Sequence, residues 1–444
     1  MDSVVAPSGR WNGIETEGVV TFRGIRYARA SRFGPPEREP VSKTPIDATS
    51  RHTTAPQLPP RLAVVMGLAS PLEQSEDCLV LTVTAPADVR EPRAVLVWLH
   101  GGAYLTGSGE WNLYDADRLV RETGIVVVSV SYRIGVLGYL RAQGVSPGNL
   151  GLVDQLAALE WVRENIAAFG GDPGRVTLAG QSAGAHSVVA LLGMERARGL
   201  FARAIVQSAP FGVGFHTPER AERAGVVFLA ELDGDPRSAS VPEVLAAQGR
   251  AVRRLAGPGG LNSAPPFLPV AGVEPLPGDA LWRAEVRHRA AGIQVIVGCT
   301  AEEMRAFFDG PHPVWDAVRR VPVLGRRFVS AAGALVGRKV FADGVFEFAD
   351  LLAAAGARVY CHRFHAPHPD NPFGACHCIE LPLLFGAAED WRDAPMVRPL
   401  DPAGLDAAGI GTRRRWAEFV RTGAVGDGAW PPHRPGSRFA RQLP

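Results

Sequence analysis

The stretch Gly180-Gln-Ser-Ala-Gly184 sets a serine between small residues in a G-x-S-x-G pattern. A serine in that pattern becomes a nucleophile when a strand reverses into a helix at that point. The sharp turn lifts its hydroxyl above the carboxyl ends of the strands, at a helix N-terminus. In a chain with 50 glycines the bare pattern carries little weight, so its flanks decide. Val176-Thr-Leu-Ala179 reads as a strand, and Ala185 to Leu192 reads as a helix. The chemistry is then acyl transfer: the Ser182 hydroxyl attacks a carbonyl carbon, and water later releases the acyl group.

That attack puts negative charge on the former carbonyl oxygen, which backbone N–H groups stabilise best in a dry site. Leu99-His-Gly-Gly-Ala-Tyr104 directly follows the apolar run Ala94 to Leu99. Two glycines let its backbone approach a ligand closely. Gly102 and Ala103 are the candidate donors, with Ala183, the residue after the nucleophile, as a third.

A serine nucleophile needs a base and an acid, in the chain order Ser, acid, His for this strand–turn–helix arrangement. The run Ile293 to Val297 ends in Gly298-Cys-Thr-Ala-Glu-Glu303, which places Glu302 and Glu303 just past a strand end. The late histidines are His362, His365, His368 and His377. The first two fall in or beside the strand-like Arg358 to Phe364, whose alternation turns at least one of them away from a shared site. His377 lies in a loop before the apolar run Leu381 to Phe385, where a base is expected; His368 is not excluded, and position alone does not separate Glu302 from Glu303. Cys361, His362, His365, His368, Cys376, His377 and Cys378 are dense in metal-ligand types, but their spacings match no closed zinc module.

The elements around these residues point to an α/β fold. Gly18 to Arg23, Cys78 to Thr84, Ala94 to Leu99 and Ile125 to Val130 read as strands. Leu152, Leu156, Leu159, Val162, Ile166 and Phe169 recur at steps of three and four, which predicts a helix that Gly170-Gly-Asp-Pro stops. Alternating strands and helices imply a mostly parallel central sheet with helices on both faces. Residues 211–290 contain helical stretches and the Pro- and Gly-rich segment Gly257 to Gly278; 310–357 reads as helical, and 409–423 as a helix ending before Gly423. One domain over residues 1–444, with a helical insertion or lid roughly over 211–350, is the expected organisation.

Composition excludes several function classes. Net charge is +2 with dispersed charges, which gives no nucleic-acid or anionic-membrane footprint. The first residues have no basic or apolar leader character, and no apolar run is long enough to span a bilayer. Five cysteines, an odd number, fit reduced thiols, so a cytoplasmic protein is expected. Lys43 and Lys339 are the only lysines, a bias read as compositional.

With these motifs assembled, the chain resembles the type-B carboxylesterases, especially the bacterial para-nitrobenzyl esterase-like enzymes, which share their α/β-hydrolase fold with the cholinesterases. The likeness runs from Phe22-Arg-Gly-Ile-Arg-Tyr-Ala and Ser75-Glu-Asp-Cys-Leu-Val-Leu through His100-Gly-Gly-Ala-Tyr and Asn149-Leu-Gly-Leu-Val-Asp-Gln. It continues through Phe169-Gly-Gly-Asp-Pro, Gly180-Gln-Ser-Ala-Gly and Ala204-Ile-Val-Gln-Ser208 to His377-Cys-Ile-Glu-Leu-Pro and Trp430-Pro-Pro. The resemblance implies Glu303 as the acid, His377 as the base, Ser208 as a neighbour of the triad, and an ion pair between Arg32 and Glu76. Three departures stand out. Met304 and Cys378 replace the glycines usual after the acid and the histidine, and Ala55 lies where many relatives carry a partner for Cys78, so Cys78 is expected to be free. The expected activity is carboxylic ester hydrolysis without a cofactor, on a small, neutral and largely apolar molecule, since no charged cluster stands near these motifs. A lipase or amidase on the same triad, or an inactive binding protein, are the alternatives. No nucleic-acid or membrane partner is expected, and the chain is expected to be a monomer or a homodimer.

Overall fold

The computed structural model describes residues 3–257, 264–308, 313–321, 324–426 and 428–444. Ten strands form its main sheet: β1 (Ile14–Thr16), β2 (Val19–Arg26), β3 (Val80–Pro86), β4 (Arg93–Leu99), β5 (Val126–Val130), β6 (Gly171–Gln181), β7 (Arg203–Gln207), β8 (Gln294–Thr300), β9 (Arg358–Phe364) and β10 (Arg441–Leu443). Their spatial order is β10-β9-β8-β7-β6-β4-β5-β3-β2-β1. From β10 to β5 every neighbouring pair is parallel, and from β5 to β1 every pair is antiparallel. The parallel part is the one that needs helical crossovers, and the helices lie there.

Strand β4 shows why the sheet is covered on both sides. Val95, Val97 and Leu99 enter one apolar core, while Ala94, Leu96 and Trp98 enter another, following the period of two. On the first face pack α1 (Leu150–Asn165), through Leu152, Leu156 and Leu159, and α2 (Ala183–Leu192), through Val188 and Leu191. On the second face packs α3 (Pro402–Thr422), through Trp416 and Phe419. This is the expected α/β architecture with a mostly parallel sheet.

Several boundaries differ from the sequence reading. The helix expected over 409–423 begins at Pro402, because the Asp401 side chain accepts from Gly404 N–H and Pro402 occupies the first turn, where no N–H is needed. Its end is as expected, with Gly423 in left-handed conformation. β3 runs from Val80 rather than Cys78, and β8 extends to Thr300. Helices lie on both sides of β8 in the 211–350 region: Pro218–Glu231, Val241–Ala256 and Asp279–Ala290 before it, then Leu324–Gly337 and Asp343–Ala354 after it. Parts of the Gly257 to Gly278 segment and of 310–357 fall outside the described residues. No helix among the described residues is long and apolar enough to cross a membrane.

The two features that the resemblance placed at the N-terminal side are present. Arg32 Nε lies 3.0 Å from both carboxylate oxygens of Glu76. Cys78 is a buried free thiol, and Ala55 lines the same small cavity beside it.

Candidate active site

Strand register brings the first motifs together. Gly180 on β6 is level with Leu99 on β4, so the loop that begins at His100 leaves the sheet beside the turn that carries Ser182. Ser182 sits between β6 and α2 with φ 55° and ψ −121°, in the left-handed region that a serine rarely adopts. Its own N–H donates to Gln207 O at 2.9 Å and its carbonyl accepts from His186 at 2.9 Å, so both neighbouring elements hold the turn. Ala183 is the first residue of α2, and its N–H has no carbonyl of that helix to bond.

The loop after β4 turns tightly beside Ser182 at the cavity. Gly102 has φ 116°, and a Cβ there would fall 2.0 Å from Thr106 O, so no other residue fits. Its carbonyl accepts from Leu105 and Thr106 N–H, both at 3.0 Å, while the N–H groups of Gly102 and Ala103 make no hydrogen bond among the described residues. His100 anchors the loop: its ring stacks on Tyr132 at 4.3 Å, and the Tyr132 hydroxyl donates to His100 O at 2.6 Å. Burial lowers the His100 pKa to about 4, so the ring is neutral.

The candidate acid and base come from loops that clasp each other. Glu302 N–H donates to Ala375 O at 2.9 Å, and His377 N–H donates to Glu303 O at 3.2 Å. The two glutamates divide the work. Glu302 accepts from Ala375 N–H at 2.9 Å and faces Arg305 at the surface. Glu303 is buried, with Thr300 N–H donating to Oε1 at 2.8 Å and Oε2 lying 2.5 Å from His377 Nδ1. Burial opposes protonation of the His377 ring. The Cys378 sulfur and the Glu303 carboxylate outweigh it and hold the ring well above its ordinary pKa. The other late histidines lie elsewhere: His362 is buried in the second core, His365 pairs with Gln442 at the surface, and His368 lies beside Asp370.

Ser182, His377, Gly102, Ala103 and Ala183 line one cavity of about 360 Å³, a size suited to a small organic ligand. No hydrogen bond joins Ser182 Oγ to His377 among the described residues. The Gln181 amide instead lies 3.2 Å from His377 Nε2 and 3.3 Å from Cys378 Sγ. Ser208 has φ 51° and donates its N–H to Gly298 O at 2.8 Å, while its buried hydroxyl has no partner among the described residues. No group of three His, Cys, Asp or Glu side chains among the described residues is arranged to hold a metal.

A sequence profile described as the carboxylesterase family matches residues 2–309. The chain belongs to the carboxylesterase family. It is 57% identical over 444 residues to a probable N-octanoylanthranilate hydrolase of Rhodococcus erythropolis, covering 99% of this chain and 97% of that one. It is 32% identical to the para-nitrobenzyl esterase of Bacillus subtilis, over 98% of this chain and 93% of the relative. Among solved structures it is similar to a thermophilic PNB esterase, with a TM-score of 0.85 and 29% identity, over 100% of this chain and 96% of that one. The chain is thus an α/β-hydrolase and a carboxylic ester hydrolase of the serine type.

Sequence reasoning gave no role to Gln181, Phe307 or Phe341, which line this carboxylesterase's cavity. Gln181 is the variable second position of G-x-S-x-G, and nothing in the pattern announced its contact with His377. Phe307 and Phe341 flank the His377 ring at 5.3 and 5.2 Å between ring centres. Phe307 stands four residues after Glu303, a spacing that a continued turn beyond β8 would have suggested.

Proposed function

We propose that this esterase hydrolyses medium-chain acyl esters, and the matching anilides, of small aromatic leaving groups, by acyl transfer through Ser182, His377 and Glu303. The observation that carries the reading is the buried 2.5 Å pair of Glu303 Oε2 and His377 Nδ1, placed beside a mostly apolar cavity that Ser182 also lines. With Nδ1–H given to Glu303, Nε2 is left as the acceptor for a proton. Ser182 Oγ takes over from the Gln181 amide at Nε2 when substrate enters, as catalytic hydrogen bonds tighten on binding. Oγ bonds to the acyl carbon, its proton passes to His377, and the ring returns that proton to the leaving oxygen or nitrogen. Water then repeats the cycle on the acyl-enzyme.

The N–H groups of Gly102, Ala103 and Ala183 receive the oxyanion, and Ser208 supports the acid loop from behind. The octanoyl and anthranilate parts in the name of the relative at 57% identity support the choice of acyl chain and leaving group, and an apolar lining that includes Leu268, Val336 and Val340 suits an alkyl chain. No cofactor takes part in these steps. We place the chain in the cytoplasm, which five unpaired cysteines favour, as one domain over 1–444 with a helical insertion roughly over 211–350, acting as a monomer or a homodimer.

The test is hydrolysis of para-nitrophenyl acetate, butyrate and octanoate by wild type and Ser182→Ala, with the intact mass measured after a fluorophosphonate. The expected result is one adduct, on Ser182, and a fall in kcat of at least about 10⁴-fold in the variant. Equal turnover by both proteins, or an adduct elsewhere, overturns the reading.

A further inference from the structure

Besides the ring of His377, the lining of the cavity at Ser182 has one cationic side chain among the described residues, Arg61. The sequence reading expected a neutral substrate because no cluster of charge stands near the motifs. Arg61 lies in a Pro-rich loop far from them in the chain, and folding brings it to the mouth of the cavity. Its guanidinium carbon sits over the Phe307 ring, 5.9 Å from the ring centre. Phe307 in turn packs on His377 at 5.3 Å, so a single aromatic ring separates the guanidinium from the candidate base.

The more deeply buried arginines Arg32, Arg133 and Arg413 are matched to carboxylates, Glu76, Asp154 and Glu122. Arg61 has no ion pair among the described residues. Partial burial lowers its pKa. A guanidinium offers a planar fork that fits a carboxylate through two hydrogen bonds, and its place over an aromatic face leaves the fork's edge open to a ligand. The rest of the lining is mostly apolar, so away from His377 an anionic group inside it has Arg61 to reach.

We infer that Arg61 determines specificity for substrates whose leaving group carries a carboxylate next to the scissile bond, an aryl ester or anilide of an ortho-amino or ortho-hydroxy aromatic acid. This rests on the reading of Ser182 as the nucleophile. The acyl chain then occupies the apolar lining, while the carboxylate is held at the mouth, one ring away from His377. The side chain is exposed on its outer side, so the attraction is partly screened by solvent. It acts on capture of substrate more than on the chemical step and weakens with salt.

The experiment compares 2-carboxyphenyl octanoate with phenyl octanoate, two esters that differ only in the carboxylate. Wild type, Arg61→Gln and Arg61→Lys are assayed at low and high salt, with Ser182→Ala as the blank. Expected is a fall of about tenfold in the ratio of kcat/KM, acid over neutral, in Arg61→Gln, expressed mainly in KM, and a smaller fall in Arg61→Lys, which keeps the charge without the fork. In wild type the ratio declines as salt rises, and in Arg61→Gln it does not. The ratio cancels any general loss of folded enzyme. The same ratio in wild type and Arg61→Gln overturns the inference. If wild type cleaves neither ester faster than Ser182→Ala, the nucleophile reading itself fails and the inference falls with it.

Discussion

Ser182 and Cys378 both have left-handed backbone, at φ 55° and 75°, and each stands at one wall of the same cavity. They are held there in different ways. Ser182 lies at a junction between β6 and α2, and backbone bonds to Gln207 and His186 fix it from both sides. Cys378 lies in a loop that is held from outside its own neighbourhood, by the clasp of residues 375–377 against Glu302 and Glu303. The proposed nucleophile is thus placed by backbone bonds at a strand–helix junction, and the proposed base by contacts across more than seventy residues of chain. The first arrangement resists single electrostatic changes and yields to steric ones; the second does the reverse.

The largest expected effect breaks the histidine side electrostatically. Glu303→Gln keeps the shape of the side chain and removes its charge. The expected result is a fall in kcat of roughly 10³- to 10⁴-fold, as for a triad acid replaced by its amide. The pH profile gives a second readout. In wild type the ring pKa is raised, so His377 stays protonated to higher pH and the acid limb of kcat/KM lies above the ordinary histidine range. Without the Glu303 charge the imidazolium loses support, and the limb moves to lower pH. A limb that stays in place, measured over the residual activity, would mean that Glu303 does not set the state of the ring.

Next in size is a stability effect on the same side. Glu380 follows His377 by three residues and is buried. Burial first, and the Glu303 charge second, push its pKa up to about 7. Gln207 donates to Oε1 at 3.3 Å, while Oε2 has no partner among the described residues. The folded pKa lies above the unfolded one, so the folded state holds the proton more tightly. The stability linked to that proton is fully present below the unfolded value of about 4.5 and is lost as pH rises through about 7. At 1.4 kcal/mol per unit the loss is about 3 kcal/mol. Urea unfolding of Glu380→Gln is expected to show a flatter dependence of the midpoint on pH over this window. An unchanged slope would assign the dependence to other groups.

The matching steric change belongs to the nucleophile side. A Cβ on Gly184 would lie 2.0 Å from Leu99 O and 2.6 Å from His100 O, because α2 begins in direct contact with the end of β4. Gly184→Ala is expected to cost about 1–3 kcal/mol in denaturant unfolding. By displacing Ser182 relative to the Gly102 loop it also lowers kcat, by about 10²-fold. Full activity with the alanine in place would show that the junction is softer than its contacts imply.

How much of this was legible in the sequence follows the same divide. The Ser182 turn and the Gly102 loop could be read from residue types, because each sits where a strand recognisable from its own residues ends. The roles of Glu302 and Glu303 could not be separated by position. Both follow the same strand, and only the distant loop carrying His377 distinguishes them; family resemblance supplied what local pattern did not. The strand Arg441–Leu443 was missed because three residues carry no periodic signal and its pairing with β9 is long-range. The start of α3 is carried by Asp401-Pro402, a cap signal and not apolar spacing, and so lies ahead of the expected residue 409. Arg61 had no local signal at all, since its importance comes from what folding places beside it.

The smallest effect tests the left-handed backbone of the histidine loop directly. At Cys378 two contributions act together: a φ of 75° that a Cβ disfavours, and a thiol that meets the Gln181 amide at 3.3 Å. Cys378→Ala removes the thiol and keeps the Cβ; Cys378→Gly removes both. The difference between the two variants therefore isolates the backbone contribution, with the sulfur lost from each. A residue with a Cβ in this conformation costs about 1–2 kcal/mol, and glycine gives back part of that gain through greater freedom when unfolded. Cys378→Gly is expected to be more stable than Cys378→Ala by up to about 1 kcal/mol, measured as a shift in denaturation midpoint at constant m-value. If alanine is the more stable of the two, the loop relaxes around its Cβ, and the conformation at Cys378 is set by the clasp of Glu302 and Glu303 rather than opposed by the side chain.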